Sequence, residues 1–228
     1  ASSVPSGLAA PTVVSHSLNS ISIAWTAPTA STLSVTGYDV LIDNGEDNTP
    51  YITVYSGKYI NNVLSFEIKN LTPGNYYNIA IIAYNAAGAS DLSPTLRELC
   101  GALPKPPNKI KAVSISSTSI TISWNAPDDT GGIDLTNYVI YITSPTASSA
   151  TVDHSVTSYT LSTVTVGTTY VFELTSKNLI GESAHSSSLS VTAVDLPSPP
   201  TLTLTASNSD KCILSWNAVA PPASSSII

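Results

Sequence analysis

The chain repeats itself, and this repeat limits its fold more than any other feature of the sequence. Residues 20–28 end in Trp-Thr-Ala-Pro and recur in similar form as residues 119–127, and a third copy lies around Trp216. The Pro-rich segments 103–107 and 196–200 repeat as well, 93 residues apart. Because each repeat is one unit of structure, we expect two full units of about 95 residues and the opening of a third.

Within each unit, apolar residues occupy every second position over short stretches. Ile21, Ile23 and Trp25 alternate with Ser22 and Ala24, and the same pattern returns in the later copies. Such alternation predicts antiparallel strands with one buried face, and no stretch shows the 3.6-residue period of a helix. About seven such strands per unit predict an all-β chain of tandem seven-stranded β-sandwiches.

The Pro-rich segments set the predicted domain boundaries, because proline cannot donate a hydrogen bond to a strand ladder. We expect a first domain over residues 4–102, a second over 103–196 and the first two strands of an incomplete third over 197–228. Two strands form a hairpin that is marginal alone in water, so Leu214 and Trp216 would be exposed unless further strands complete the unit. Those strands would come from a continuation of the chain or from a neighbouring copy.

These motifs resemble the fibronectin type III family, whose fold is an immunoglobulin-like β-sandwich. Residues 71–77 are similar to the family's tyrosine corner, in which a phenol donates a hydrogen bond to the backbone, and Asn85 and Asn178 match its last hairpin turn. Residues 28–32 depart from the family, because they lack the acids and glycines that residues 127–132 supply in the second unit. The resemblance implies that the structural core contains Trp25, Tyr38, Tyr77, Trp124, Tyr138, Tyr170 and Trp216.

Charge and hydropathy narrow the classes of function. The formal net charge is −7 and only eight residues are Lys or Arg. Because nucleic acids are bound largely through Lys and Arg on their phosphates, we expect no nucleic-acid partner. No apolar run approaches the roughly 20 residues of a membrane-spanning helix, so we expect no direct membrane insertion of this segment.

No motif points to catalysis. His16, His154 and His185 fall in separate strands or loops, with no His-x-His or His-Glu pairing in the sequence, so we expect surface or rim histidines. The sequence has no nucleophile elbow, phosphate-binding loop or zinc-binding helix motif. We therefore expect no enzyme activity, no cofactor and no catalytic or metal site. The acidic loop 43–48 leaves a calcium site open as an alternative, although the pattern favours a solvated turn.

Two cysteines and one asparagine are candidates for covalent chemistry. Cys100 ends the first unit, where its thiol could pair with another molecule, and Cys212 stands at an inward strand position and is predicted to be buried. A whole domain separates them, so we expect no disulfide between them. The triplet Asn70-Leu71-Thr72 is an acceptor for N-glycosylation, and we expect Asn70 to be exposed at a turn.

The resemblance implies a non-catalytic structural or adhesive repeat module of an extracellular or cell-surface glycoprotein. We expect it to be part of a fibre or matrix whose partners are neighbouring copies, in a homopolymer, or other extracellular proteins and glycans. Three alternatives stay open: an intracellular cytoskeletal scaffold array, an accessory module of a secreted carbohydrate-active enzyme, and a receptor ectodomain.

Overall fold

The computed structural model of the chain describes residues 2–46, 49–60, 62–195, 199–207 and 211–217. These residues form seventeen strands and no helix, so they include no helix that could cross a membrane. The predicted all-β class is confirmed. The strands are β1 (Thr12–Ser17), β2 (Ser20–Ala24), β3 (Val35–Ile42), β4 (Ile52–Ser56), β5 (Ser65–Ile68), β6 (Tyr76–Asn85), β7 (Gly88–Ala89), β8 (Leu96–Leu99), β9 (Asn108–Ile115), β10 (Ile120–Asn125), β11 (Asn137–Ser144), β12 (Ser148–Asp153), β13 (Ser158–Leu161), β14 (Thr169–Lys177), β15 (Leu189–Thr192), β16 (Leu202–Ser207) and β17 (Cys212–Trp216).

The first sandwich packs two antiparallel sheets face to face. One sheet has the order β1-β2-β5, and the other has the order β4-β3-β6-β7, with β8 also paired to β6. Successive side chains on a strand point to opposite faces, so residues at every second position meet in one core. Ile21 and Ile23 of β2 and Val40 of β3 are fully buried in this core.

The last strand of the first sandwich is interrupted between β7 and β8. There the hydroxyl oxygens of Ser90 and Ser93 accept hydrogen bonds from the backbone amides of Ala83 and Ile81, each at 3.0 Å. The backbone amides of both serines donate to the carbonyls of the same two residues. The serine side chains therefore replace acceptors that the interrupted strand cannot supply, and the edge of β6 keeps its hydrogen bonds.

The second sandwich has the same plan. One of its sheets has the order β9-β10-β13, and the other has the order β12-β11-β14-β15. Its core includes the fully buried Ile120, Ile122 and Phe172. Ser186 has the same role as Ser90 and Ser93 in the first sandwich, because its hydroxyl accepts a hydrogen bond from the Leu174 backbone amide at 2.9 Å.

The chain divides into two compact units. These units differ from the predicted domains, because two short loop segments of the second repeat belong to the first unit. The predicted domain boundaries after residues 102 and 196 therefore stay a prediction. The first unit comprises residues 1–105, 129–135 and 177–183, and the second comprises residues 106–128, 136–176 and 184–228.

Strands β16 and β17 form an antiparallel hairpin, the opening of the third unit. Trp216 is 67 % exposed, whereas its counterparts Trp25 and Trp124 are 5 % and 3 % exposed. Trp216 is therefore not the core residue that the resemblance implies, because no described strand covers the face that it shares with Leu214; the exposure of both side chains is the one expected for a hairpin that further strands do not complete. The predicted burial of Cys212 is wrong for the same reason, since the side chain is exposed.

Candidate functional site

Two aromatic pairs occupy equivalent places in the two sandwiches. The ring centroids of Trp25 and Tyr38 are 5.7 Å apart at an interplanar angle of 64°, and those of Trp124 and Tyr138 are 5.6 Å apart at 75°. Aromatic rings favour this edge-to-face geometry. All four residues are buried, and burial raises the pKa of the Tyr38 and Tyr138 phenols because it penalises the phenolate.

Both predicted tyrosine corners form, but with the opposite polarity to the one expected. The Tyr77 phenol oxygen accepts a hydrogen bond from the Thr72 backbone amide at 2.9 Å. The Tyr170 phenol oxygen accepts one from the Thr165 amide, also at 2.9 Å. The expectation that the phenol donates to a backbone acceptor is therefore wrong. The chain at each corner turns an amide toward the ring, and that amide needs an acceptor.

Asn85 ties the last hairpin turn of the first sandwich to two other segments. Its side-chain oxygen accepts a hydrogen bond from the Ala87 amide at 2.9 Å, which shapes the turn. Its side-chain nitrogen donates to the Ser3 carbonyl at 2.8 Å and to the Ser31 hydroxyl at 3.3 Å. Asn85 is buried, so this one side chain holds the N-terminal segment and the loop after β2 in place.

Asn178 makes the equivalent contacts in the second repeat. Its side-chain oxygen accepts hydrogen bonds from the amides of Ile180 and Gly181, and its nitrogen donates to the carbonyls of Ala102 at 2.8 Å and Thr130 at 2.9 Å. The partner positions of the two asparagines correspond in the repeat. The first repeat therefore keeps these asparagine hydrogen bonds, although its residues 28–32 lack the acids and glycines that are typical of the family.

Two of the histidines lie beside a carboxylate that the sequence pattern did not pair with them. His16 Nε2 is 3.0 Å from Glu98 Oε1, and both side chains are mostly buried. His185 Nδ1 is 2.9 Å from Glu173 Oε2, and the His185 ring packs on Tyr141 with centroids 4.6 Å apart. The sequence has no His-Glu motif that marks these contacts, because they join residues 82 and 12 positions apart in the chain.

The third histidine lies beside its neighbour in the chain. His154 Nδ1 is 3.5 Å from Asp153 Oδ1, and both side chains are more than half exposed. A hydrogen bond from the Ser155 hydroxyl lowers the pKa of Asp153, with a smaller contribution from the charge of His154. Within the described ranges, no group of three or more His, Cys, Asp or Glu side chains is arranged to hold a metal ion.

The acidic loop is built as a turn over its described part. Asp43 is buried, and its carboxylate accepts hydrogen bonds from the Gly45 amide at 2.7 Å and from the backbone and side-chain nitrogens of Asn78. Gly45 has a φ of +76°, a conformation that glycine adopts at little cost. The carboxylate of Asp43 thus stabilises the turn, while Asp47 and Asn48 lie outside the described residues.

The Cys100 side chain is fully buried in the core of the first sandwich. Its sulfur lies 3.6 Å from the Leu18 carbonyl oxygen, and burial raises the pKa of the thiol. A disulfide requires an accessible thiolate on one of its partners. The hypothesis that Cys100 pairs with another molecule is therefore at odds with the folded structure, because the core would have to open first.

Asn70 lies on an exposed turn after β5. Its φ of +61° is in the left-handed region, which asparagine enters more readily than most residues. Thr72, the third residue of the acceptor triplet, is exposed as well. The structure thus presents the triplet at the surface, and glycosylation itself stays a prediction.

A cleft of about 440 Å³ opens beside Asn70, between the edge strands β4 and β5 of the two sheets. Its size is within the range of small-ligand sites. Sequence patterns did not reveal it, because its two walls come from strands of different sheets. Its apolar lining comprises Ile42, Pro50, Ile52, Val54, Ile68, Leu71 and Tyr77.

Comparison with known proteins matches both repeats of the chain to the same family. A family model described as "Fibronectin type III domain" matches the chain twice, over residues 4–98 and 105–192. The chain is 32 % identical to neogenin of Homo sapiens over 161 residues, which are 68 % of this chain and 11 % of neogenin. It is 29 % identical to endoglucanase B of Cellulomonas fimi over 203 residues, which are 86 % of this chain and 18 % of that protein.

A solved two-domain fibronectin type III segment of chicken tenascin also aligns with the chain, at 21 % identity and a TM-score of 0.46. The alignment covers 84 % of this chain and all of that segment. The chain spans only between 11 % and 25 % of the length of the curated relatives that it matches.

Proposed function

The chain belongs to the fibronectin type III family, and from this membership we propose that it is a non-catalytic structural and adhesive module of an extracellular or cell-surface protein. The observation that carries the proposal is the repeated use of the same side chains for the same structural purpose. Asn85 and Asn178 make equivalent hydrogen bonds, as do Tyr77 and Tyr170. The recurring residues hold the fold, which leaves the outer strand faces to contact other molecules.

An extracellular location is supported by the exposed acceptor triplet at Asn70 and by a composition in which Ser and Thr exceed a quarter of the residues. Antibody labelling of intact and permeabilised cells of the source organism tests the location. We expect labelling of intact cells, at the surface or in the surrounding matrix. Labelling that requires permeabilisation would refute the extracellular part of the proposal and favour an intracellular scaffold.

We further propose that neighbouring copies are partners and that the chain takes part in a fibre or matrix. The support is the apolar face of the β16–β17 hairpin, where Leu202, Leu214 and Trp216 are about half to two-thirds exposed. Exposed apolar surface of this kind favours association, because covering it releases water. Ile23 and Trp25, the equivalents of Leu214 and Trp216 in the first repeat, are 0 % and 5 % exposed, so the face has the composition of a sandwich core.

Sedimentation velocity over a range of protein concentrations tests this self-association. We expect the chain to sediment as a concentration-dependent series of oligomers, and Trp216→Ser to shift the series toward the monomer. Val113→Ser is the matched control, because Val113 is an apolar strand residue of similar exposure, 61 %, in the second sandwich. A monomer at all concentrations, or an equal effect of both substitutions, would contradict the proposal.

A second candidate function is an accessory module of a secreted carbohydrate-active enzyme. The match to endoglucanase B favours it, because that match covers 86 % of this chain. Co-sedimentation with insoluble cellulose separates the two candidates. Retention of the chain on cellulose would favour the accessory module, and its absence from the pellet would favour the structural module.

A further inference from the structure

The cleft between β4 and β5 exposes apolar side chains at the surface of the first sandwich. Among its lining residues, Ile52 of β4 is 62 % exposed, while Leu71 after β5 and Tyr77 of β6 are half-buried. Both flanking strands are the last in their sheets, so the cleft follows an open edge of the sandwich. Apolar surface at such an edge becomes more stable when another group covers it and removes it from water.

Asn70 is part of the wall of this cleft and also the first residue of the acceptor triplet. A sugar attached to its side chain begins at the rim of the apolar surface. The left-handed backbone at Asn70 lies in a short turn between β5 and the tyrosine corner, whose Tyr77 also lines the cleft. The position of the triplet therefore indicates what covers the cleft.

We propose that the first sugars of an N-linked glycan on Asn70 fold over this cleft and pack against Ile52, Leu71 and Tyr77. The inference rests on the proposed secretory route, which brings Asn70 to the glycosylating enzyme. It assigns the glycan a structural role as a cover for the open edge of the first sandwich.

The attachment is a group transfer from a diphosphate-activated, lipid-linked oligosaccharide. The Asn70 amide nitrogen attacks the anomeric carbon of the first N-acetylglucosamine, and a new carbon–nitrogen bond forms. The bond between that carbon and the diphosphate oxygen breaks, and the diphosphate leaves with the electron pair. The amide nitrogen loses one proton to a base of the transferase, so atoms and charge balance.

The chemistry of the first sugar suits the cleft. N-acetylglucosamine has an acetamido methyl group and a ring face of C–H groups, which pack on aliphatic and aromatic side chains. Its hydroxyl and amide groups need polar partners; among the lining residues, the Thr49 hydroxyl donates to Asn44 and Glu46 but can still accept, and the Lys69 ammonium, 3.0 Å from the Glu67 carboxylate, has further N–H groups to donate. The volume of about 440 Å³ has room for a ligand of one or two sugar rings.

The test uses the full chain secreted from a glycosylating eukaryotic cell line, whatever the compartment of the natural protein. Thr72→Ala removes the acceptor triplet but keeps Asn70 and the Thr72 amide that bonds Tyr77. Thr72→Ser keeps the triplet and controls for the side-chain change. A relocated-glycan control combines Thr72→Ala with Thr163→Asn, which creates a triplet at the equivalent turn of the second sandwich.

The direct readout is the nuclear Overhauser effect between the acetamido methyl of the first sugar and protons of Ile52, Leu71 or Tyr77. We expect such contacts in the glycosylated chain and in Thr72→Ser. We also expect the first sandwich to unfold roughly 4 °C higher than in Thr72→Ala, the shift produced by burying one methyl-sized group in a domain of this size. The relocated glycan should not restore this shift.

Two results would overturn the inference: an Asn70 that the cell line leaves unmodified, and a glycan that shows neither contacts to the cleft nor a larger thermal shift than the relocated control. Both leave the proposed function standing. Conversely, an unmodified Asn70 in secreted material from the natural source would contradict the use of this triplet as evidence for secretion. That result would not alter the packing measured in the recombinant glycoprotein.

Discussion

Replacing Tyr170 with Phe removes the oxygen that accepts the Thr165 amide at 2.9 Å and leaves the ring in place. Tyr170 is 7 % exposed and the bond is partly buried, so water replaces the lost acceptor incompletely. We expect the free energy of unfolding of the second sandwich to fall by about 1–2 kcal/mol. The matched change, Tyr77→Phe, removes an exposed bond of the same length and should cost only about 0.5–1 kcal/mol.

Amide hydrogen exchange of the full chain is the appropriate assay, because two sandwiches do not share a single free energy of unfolding. Exchange of the β14 amides reports on the second sandwich, and exchange of the β6 amides reports on the first. A loss of 1–2 kcal/mol corresponds to exchange that is roughly 5 to 30 times faster in the affected sandwich. The unaffected sandwich in each variant serves as the internal reference.

The most decisive part of this prediction is that Tyr170→Phe destabilises its sandwich more than Tyr77→Phe does. If Tyr77→Phe destabilised its sandwich more than Tyr170→Phe, burial of the corner bond would not set its contribution. If the amides of Thr72 and Thr165 exchanged at unchanged rates in the variants, neither phenol would be their acceptor, and the assigned corners would be refuted.

Three further predictions address groups in or near the two cores. Burial raises the pKa of Tyr38 and Tyr138 in the folded state, so the stability that their neutral phenols contribute is complete below the unfolded pKa of about 10. It is lost as the pH rises from there through the raised folded pKa; calorimetry should show a melting temperature that falls over this range, and a constant one would refute this. A thiol-titrating reagent should label Cys212 at once and Cys100 only after denaturation, and immediate labelling of both would contradict the burial of Cys100. Asn178→Ala should lower the free energy of unfolding of the second sandwich by about 3 kcal/mol, measured by exchange of the β14 amides, because part-buried carbonyls and amides lose their partners; a loss below about 1 kcal/mol would refute its anchoring role.

The sequence predicted those features that depend on short stretches of the chain. Alternation at Ile21, Ile23 and Trp25 predicted a strand with one buried face, and all three side chains are buried in the core. Alternation is local, because successive side chains on any strand point to opposite sides. The repeat of the Trp and Tyr motifs likewise predicted two sandwiches of one plan, because similar sequences bury their side chains in similar ways.

Contacts between distant residues were decided by the tertiary structure alone. His16 meets Glu98 only because β1 and β8 border the same side of the first sandwich, 82 residues apart in the chain. The direction of the tyrosine-corner bond depends on whether the turn presents an amide or a carbonyl to the phenol. Trp216 repeats the sequence context of Trp25, but no second sheet covers it among the described residues, and burial depends on a partner surface that a strand does not itself encode.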